Sequence, residues 1–128
     1  MRRASRIDEN QTEIVKALRK HGISVIVISG VGNGVPDLIA GRMYGVASSD
    51  KDIRYPNIHI TELLEVKDGE KYKSQRKLTP KEKKVHDEWR GRPIRIVESV
   101  ADALKVFGIN DSLKASKRGK KWRKNVTV

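Results

Sequence analysis

The chain has 128 residues, enough for one domain with a modest core and too few for two. Its net charge of +12 exceeds any packing need and favours a polyanionic partner, nucleic acid before membrane. No cysteine is present and the three histidines (His21, His59, His86) are scattered, which excludes a disulfide framework and a thiolate zinc site and leaves oxygen ligands for any metal.

The basic start "MRRASRIDENQ" is followed by no apolar leader segment, and no apolar run approaches the roughly 20 residues of a membrane span. The chain therefore reads as soluble and cytoplasmic. Asp8 with Gln11 has the spacing of a capping box, and Ile14, Val15 and Leu18 recur at helical spacing until Gly22. This predicts an amphipathic helix over about Glu9 to His21. "SVIVIS", Ser24 to Ser29, is short and β-branched, hence a strand, and "GVGNG" after it is a turn or loop. A second strand is expected over Val35 to Ala40, then a polar insert from Met43 to Asn57, then the longest strand, Ile58 to Lys67.

Thr79, Pro80 and Glu82 stand in register as N-cap, N1 and N3, so a helix should run from Pro80 to about Arg90 with Val85 and Trp89 inward. Pro93 to Val97 follows as a strand. Ser99 and Asp102 then cap a last helix that carries Ala103, Leu104 and Phe107 and closes at Gly108. From Asp111 onward apolar periodicity is lost. This arm carries Lys114, Lys117, Arg118, Lys120, Lys121, Arg123 and Lys124 against one acid, a net +6 and half the total charge. Such a block is either a solvated tail or a nucleic-acid contact, with Trp122 able to stack on a base or dock on the body. The domain is thus 1–110 and the basic arm 111–128.

Charges fall on the most strand-like segments. In "GVPDLIAG" Asp37 follows a proline inside an apolar run, and in "LLEVKDG" Glu65 and Lys67 share one strand face about 6 to 7 Å apart, while Leu64 and Val66 take the other. If the Asp37 strand lies beside this one, two carboxylates converge, which is unfavourable unless a positive charge sits with them. A divalent cation is the simplest remedy, and hard oxygen ligands suit magnesium. A lysine near a water activated by that ion can align it and offset charge growing on a phosphorane, the chemistry of phosphodiester hydrolysis. Taken singly the same residues have plainer readings: Glu65 with Lys67 as a surface ion pair, Asp37 as a turn residue after Pro36.

Asp37, Glu65 and Lys67, as "PD" and "EVK", resemble the PD-(D/E)xK nuclease signature, and the element order is similar to that fold's core. More narrowly, "GVPDLIAG", "LLEVKDG", "LTPKE", "HDEWRG" and "IVESVADALKVFGI" resemble the small phage members of the VRR-NUC group, related to archaeal-type Holliday junction resolvases. The likeness covers about Asp8 to Ile109. It implies a restriction-endonuclease-like α/β fold, a mixed central sheet flanked by helices, and a Mg2+- or Mn2+-dependent DNA endonuclease acting on branched DNA, a Holliday junction or a flap. It also implies that Asp37, Glu65 and the Val66 carbonyl ligate the metal and that Lys67 positions the water. A first-helix acid is Glu13, with Glu9 as rival; Glu13 also reads as a surface partner of Lys16. Glu82 stands where the family often has Gln and reads as a helix cap before a catalytic group; His86 reads as structural, and Ser29 matches a loop serine only weakly.

Lys71, Lys73, Arg76 and Lys77 follow the "EVK" strand and either grip the DNA backbone or line a solvated loop. With them the arm residues Lys117, Arg118, Lys120, Lys121, Arg123 and Lys124 complete the expected DNA contacts. Two symmetric cuts in a junction need two sites, so junction resolution implies a homodimer. The competing readings are a non-catalytic basic DNA-binding protein on a nuclease fold, and an RNA-directed nuclease.

Overall fold

The computed structural model describes residues 10–45 and 57–110. Their order is α1 (Gln11–Lys20), β1 (Ser24–Val27), β2 (Leu38–Tyr44), β3 (Ile58–Val66), a single 3-10 turn at Lys73–Gln75, α2 (Pro80–Glu88), β4 (Arg95–Val97) and α3 (Val100–Val106). The four strands form one mixed sheet in the order β1-β2-β3-β4. β1 pairs with β2 and β2 with β3 in antiparallel fashion, with Val27 opposite Leu38 and Leu38 opposite Leu64, and β4 lies parallel to β3 with Val66 opposite Val97. The parallel pair requires a crossover, and α2 supplies it. The helix, three strands, helix, strand, helix order expected from the sequence is the order found.

Alternation along the strands decides which side is packed. Val25, Leu38, Ala40, Leu64, Val66 and Val97 point to one face, where Ile14, Val15 and Leu18 of α1 and Ala103, Leu104 and Phe107 after the start of α3 close the core. Phe107 is fully buried at its centre. Phe107→Ala should lower unfolding stability by about 3–5 kcal/mol, as aromatic truncations in cores do, and a denaturant titration measures it. The other face carries Glu65 and the helix α2.

Several boundaries differ from expectation: β1 ends at Val27, two residues short of Ser29, and β3 at Val66, one short of Lys67. The first helix begins at Gln11, with Asn10 as N-cap and no side-chain cap; Asp8 and Glu9 lie outside the described residues. Asn10 instead donates from Nδ2 to the carbonyls of Lys67 and Glu98, both at 3.1 Å, so its amide ties the helix start to the ends of β3 and β4. The second strand starts at Leu38 and runs on to Tyr44, into the segment that reads as a polar insert. Arg42 and Tyr44 are tolerated there because both donate to the carbonyl of Phe107 at the C-terminal end of α3, and the Arg42 guanidinium stacks on the Tyr44 ring.

Trp89 is exposed, not inward. α2 ends at Glu88, two residues short of Arg90, so Trp89 has extended backbone and its indole lies against Gly91. α2 buries no residue fully, and Val85 is its half-buried apolar contact. The last strand begins at Arg95, two residues after Pro93. The basic arm, including Lys117, Arg118, Lys120, Lys121, Arg123 and Lys124, lies outside the described residues. Among the described residues no helix is long and apolar enough to cross a membrane.

Candidate functional site

Asp37 is placed by its own backbone. Its N–H donates to the carbonyl of Leu64 at 3.0 Å and its carbonyl accepts from Ile28 at 2.8 Å, so the residue before β2 is clamped between β1 and β3. One step beyond the Leu38–Leu64 pair, this sets Asp37 beside Glu65. Asp37 Oδ2 accepts from the Val66 N–H at 2.8 Å. The two carboxyls expected to converge do so, close enough that each perturbs the proton affinity of the other.

The loop leading to Asp37 is shaped by glycine. Gly32, Asn33 and Gly34 take positive φ in succession, and a Cβ on Gly34 would collide with the backbone of Lys81 in the first turn of α2. This contact holds the Asp37 loop against the helix that carries Glu82 and His86. Gly34→Ala is therefore expected to destabilise the fold by about 1–3 kcal/mol through left-handed strain and collision together. A thermal melt beside Gly22→Ala, which is equally left-handed but open, separates the two effects.

Lys67 lies one residue past β3, its N–H bonded to the Val97 carbonyl at 2.9 Å. Its Nζ donates to Glu82 Oε1 at 2.8 Å and stands 3.9 Å from Glu65 Oε2. Glu82 also accepts from the Thr79 N–H at 2.9 Å, while Thr79 Oγ1 accepts from the Glu82 N–H at 3.2 Å. The capping box is formed as its sequence predicts, but the same carboxylate that caps α2 also holds the Lys67 ammonium. His86, one turn later on the same helix face, brings Nε2 to 3.8 Å from Glu65 Oε1.

The site is buried and short of positive charge. Three carboxyls, Asp37, Glu65 and Glu82, surround one ammonium. Burial pushes the Glu65 carboxyl up to about 9, helped by repulsion from Asp37 and Glu82, so it is protonated at neutral pH. Burial also raises Asp37, against the opposing pull of the Val66 N–H and of neighbouring Glu65. For Glu82 burial acts upward too, but the bonds from Lys67 and Thr79 outweigh it and hold the carboxylate below its usual range. Burial keeps His86 below the ordinary histidine value.

Among the described residues no three Asp, Glu, His or Cys side chains already surround one point as a ligand set. Asp37 Oδ2 is occupied by the Val66 N–H, and Lys67 takes up Glu82. The donor chemistry nevertheless fits a cation: Glu65 is 2% exposed, its Oε1 has no hydrogen-bond partner, and burial and the neighbouring carboxyls hold it as a neutral acid even beside the Lys67 ammonium.

Glu13 is not brought to this cluster. It is exposed and faces a groove of about 720 Å3 shared with Asn10, Asp68, Glu70, Glu98 and Asp102, which contains none of Asp37, Glu65 and Lys67. The first-helix residue nearest the loop side is Gln11, buried and donating from Nε2 to Ser29 Oγ at 3.3 Å. Ser29 is thereby a packing partner of α1. Of the basic residues after β3, Lys71, Lys73 and Lys77 are exposed, whereas Arg76 is half-buried and donates to Glu98 Oε1 at 2.9 Å. The fixing role of Asn10 and the pairing of buried Glu62 (1% exposed) with the exposed Arg92 at 2.6 Å carry no sequence signal, because both join residues 30 or more positions apart.

No family model, no curated protein and no solved structure matches the chain.

Proposed function

We propose that this chain is a metal-dependent DNA endonuclease with a restriction-endonuclease-like core of the PD-(D/E)xK, VRR-NUC type, acting on branched DNA. The observation that carries the reading is the juxtaposition of Asp37, Glu65 and Lys67 on one end of the sheet. An Asp–Glu pair in which burial and mutual repulsion hold the Glu65 carboxyl protonated, with a lysine 3.9 Å away, is an unfavourable arrangement for a packing site and a suitable one for a cation and an anionic substrate.

In this reading Asp37 and Glu65 hold a Mg2+ or Mn2+ ion, with the Val66 carbonyl as a further donor. Bound there, the ion supplies Lewis acidity toward a phosphodiester oxygen and toward water. Lys67 presents its ammonium beside the carboxylates, where it aligns the attacking water and offsets negative charge that grows on the phosphorus centre. Glu82 orients that ammonium by a bond of 2.8 Å, a positioning role added to its helix cap. Lys71, Lys73 and Lys77 lie just past β3 and meet the DNA backbone beside the cut, while Arg76 is held by Glu98. These contacts position the duplex without reading its sequence. Glu13, which lines the other groove, is left out of this reading.

Branch preference and a homodimer belong to the same proposal, since two symmetric cuts need two sites. The test is a panel of labelled substrates: four-way junction, flap, linear duplex, single strand and a matched RNA strand. Cleavage of the junction in preference to linear duplex is expected. Cleavage of RNA in preference to every DNA would transfer the activity to the RNA-directed reading. The arm contributes separately: a chain ending at residue 110 should bind junction more weakly, with a salt dependence shallower by about 0.9 in logarithmic slope for each phosphate that the arm neutralises. An unchanged slope would remove the arm from the interface.

A further inference from the structure

Two polar atoms in the site are buried without a hydrogen-bond partner, Glu65 Oε1 and His86 Nε2. They face each other across 3.8 Å, with the side chains 2% and 11% exposed. That separation is too long for a hydrogen bond, and a buried polar atom left without a partner is destabilising. Bonds from a divalent transition-metal ion to imidazole nitrogen or carboxylate oxygen are about 2.1 Å, so one ion reaches both atoms across a span of up to about 4.2 Å. The observed gap falls inside that limit. His86 is carried into place by α2, whose first turn is locked by the capping box and by the close approach of Gly34.

We propose that His86 is a metal ligand together with Glu65, so that the site takes a first-row transition-metal ion through a mixed nitrogen and oxygen donor set in preference to Mg2+. Imidazole suits such ions, whereas Mg2+ selects oxygen. The inference rests on the metal-dependent reading of the site and adds to it the donor that decides which ion is held. The other two histidines do not compete: His21 Nδ1 is 2.9 Å from the Ala17 carbonyl, and His59 is exposed on β3 opposite Met43. With no cysteine in the chain, an imidazole signature at the acids would come, among the described residues, from His86. A single water bridging Glu65 and His86 is the rival filling, and it leaves metal affinity independent of His86.

The full chain is titrated calorimetrically, without DNA, with Co2+ and separately with Mg2+, and the visible absorption of bound Co2+ is recorded. His86→Phe should lower Co2+ affinity by about tenfold or more and shift the absorption, with Mg2+ affinity changed less than about twofold. Glu65→Gln should weaken both ions. If His86→Phe unfolds the chain, as a circular-dichroism melt would reveal, His86→Gln keeps a polar side chain and is read in the same way. Unchanged Co2+ affinity and absorption in the histidine variants, with loss in Glu65→Gln, overturns the ligand role and leaves the nuclease reading standing. Absence of binding of either ion to the unaltered chain overturns both.

Discussion

Lys67→Ala is expected to reduce junction cleavage by about 10²–10³-fold while leaving junction affinity within about twofold. The ammonium acts on charge that develops as the phosphodiester breaks, so its loss is felt in the rate and little in ground-state binding. Single-turnover cleavage beside an electrophoretic binding titration separates the two. The structure supplies the control. Glu82 keeps its Thr79 N–H when the lysine is gone, so α2 retains its cap and the variant should melt as a folded protein. Lys67→Ala that loses binding and cleavage together would place the lysine among the backbone-gripping residues.

Stability of the metal-free protein is expected to fall as pH rises from neutral toward 9, and a divalent ion should remove that loss. The folded-state value of Glu65, about 9, lies above its unfolded value of 4.5. Its contribution is therefore fully present below the unfolded value and is lost as pH climbs through the folded one, because the unfolded chain holds fewer protons in that window. Asp37 is shifted in the same direction. Glu82 and His86 are shifted downward, so their contributions are lost on acidification and leave the alkaline side to Glu65. The expected change is a few kcal/mol at most, since the carboxyl pair shares the effect. Denaturant titrations at pH 6.5, 7.5 and 8.5 measure it, and Glu65→Gln should flatten the curve. A rise in metal-free stability over that range would contradict the protonated Glu65.

The elements were legible where a local signal fixes them. The apolar spacing of Ile14, Val15 and Leu18 marks α1, and the Thr79-Pro80-Glu82 register marks the start of α2 to the residue. Strand ends were less legible because sheet pairing sets them. β2 extends to Tyr44 through a seven-residue ladder with β3, and its polar residues are satisfied by the Phe107 carbonyl from the other end of the chain. Of the candidate site, Asp37, Glu65 and Lys67 were legible because strand alternation puts Glu65 and Lys67 on one face and pairing adds Asp37.

Glu82 and His86 were legible only as helix residues. Their spacing of four places both on one side of α2, but nothing local says which strand that side meets; the crossover geometry and the Gly34 contact decide it. Glu13 shows the converse. Its acidity and position in α1 suit a ligand, yet the helix phase set by Ile14 and Leu18 turns it to a groove beside α3.

The measurement that bears most directly on the central claim is cleavage of a labelled four-way junction by the unaltered chain in Mg2+, Mn2+ and Co2+ and in excess chelator, beside Asp37→Asn. Cutting that appears with at least one ion, stops with chelator and is lost in Asp37→Asn is the predicted result. Tight, salt-sensitive junction binding with no cleavage under any ion would contradict it and make the chain a non-catalytic DNA-binding protein.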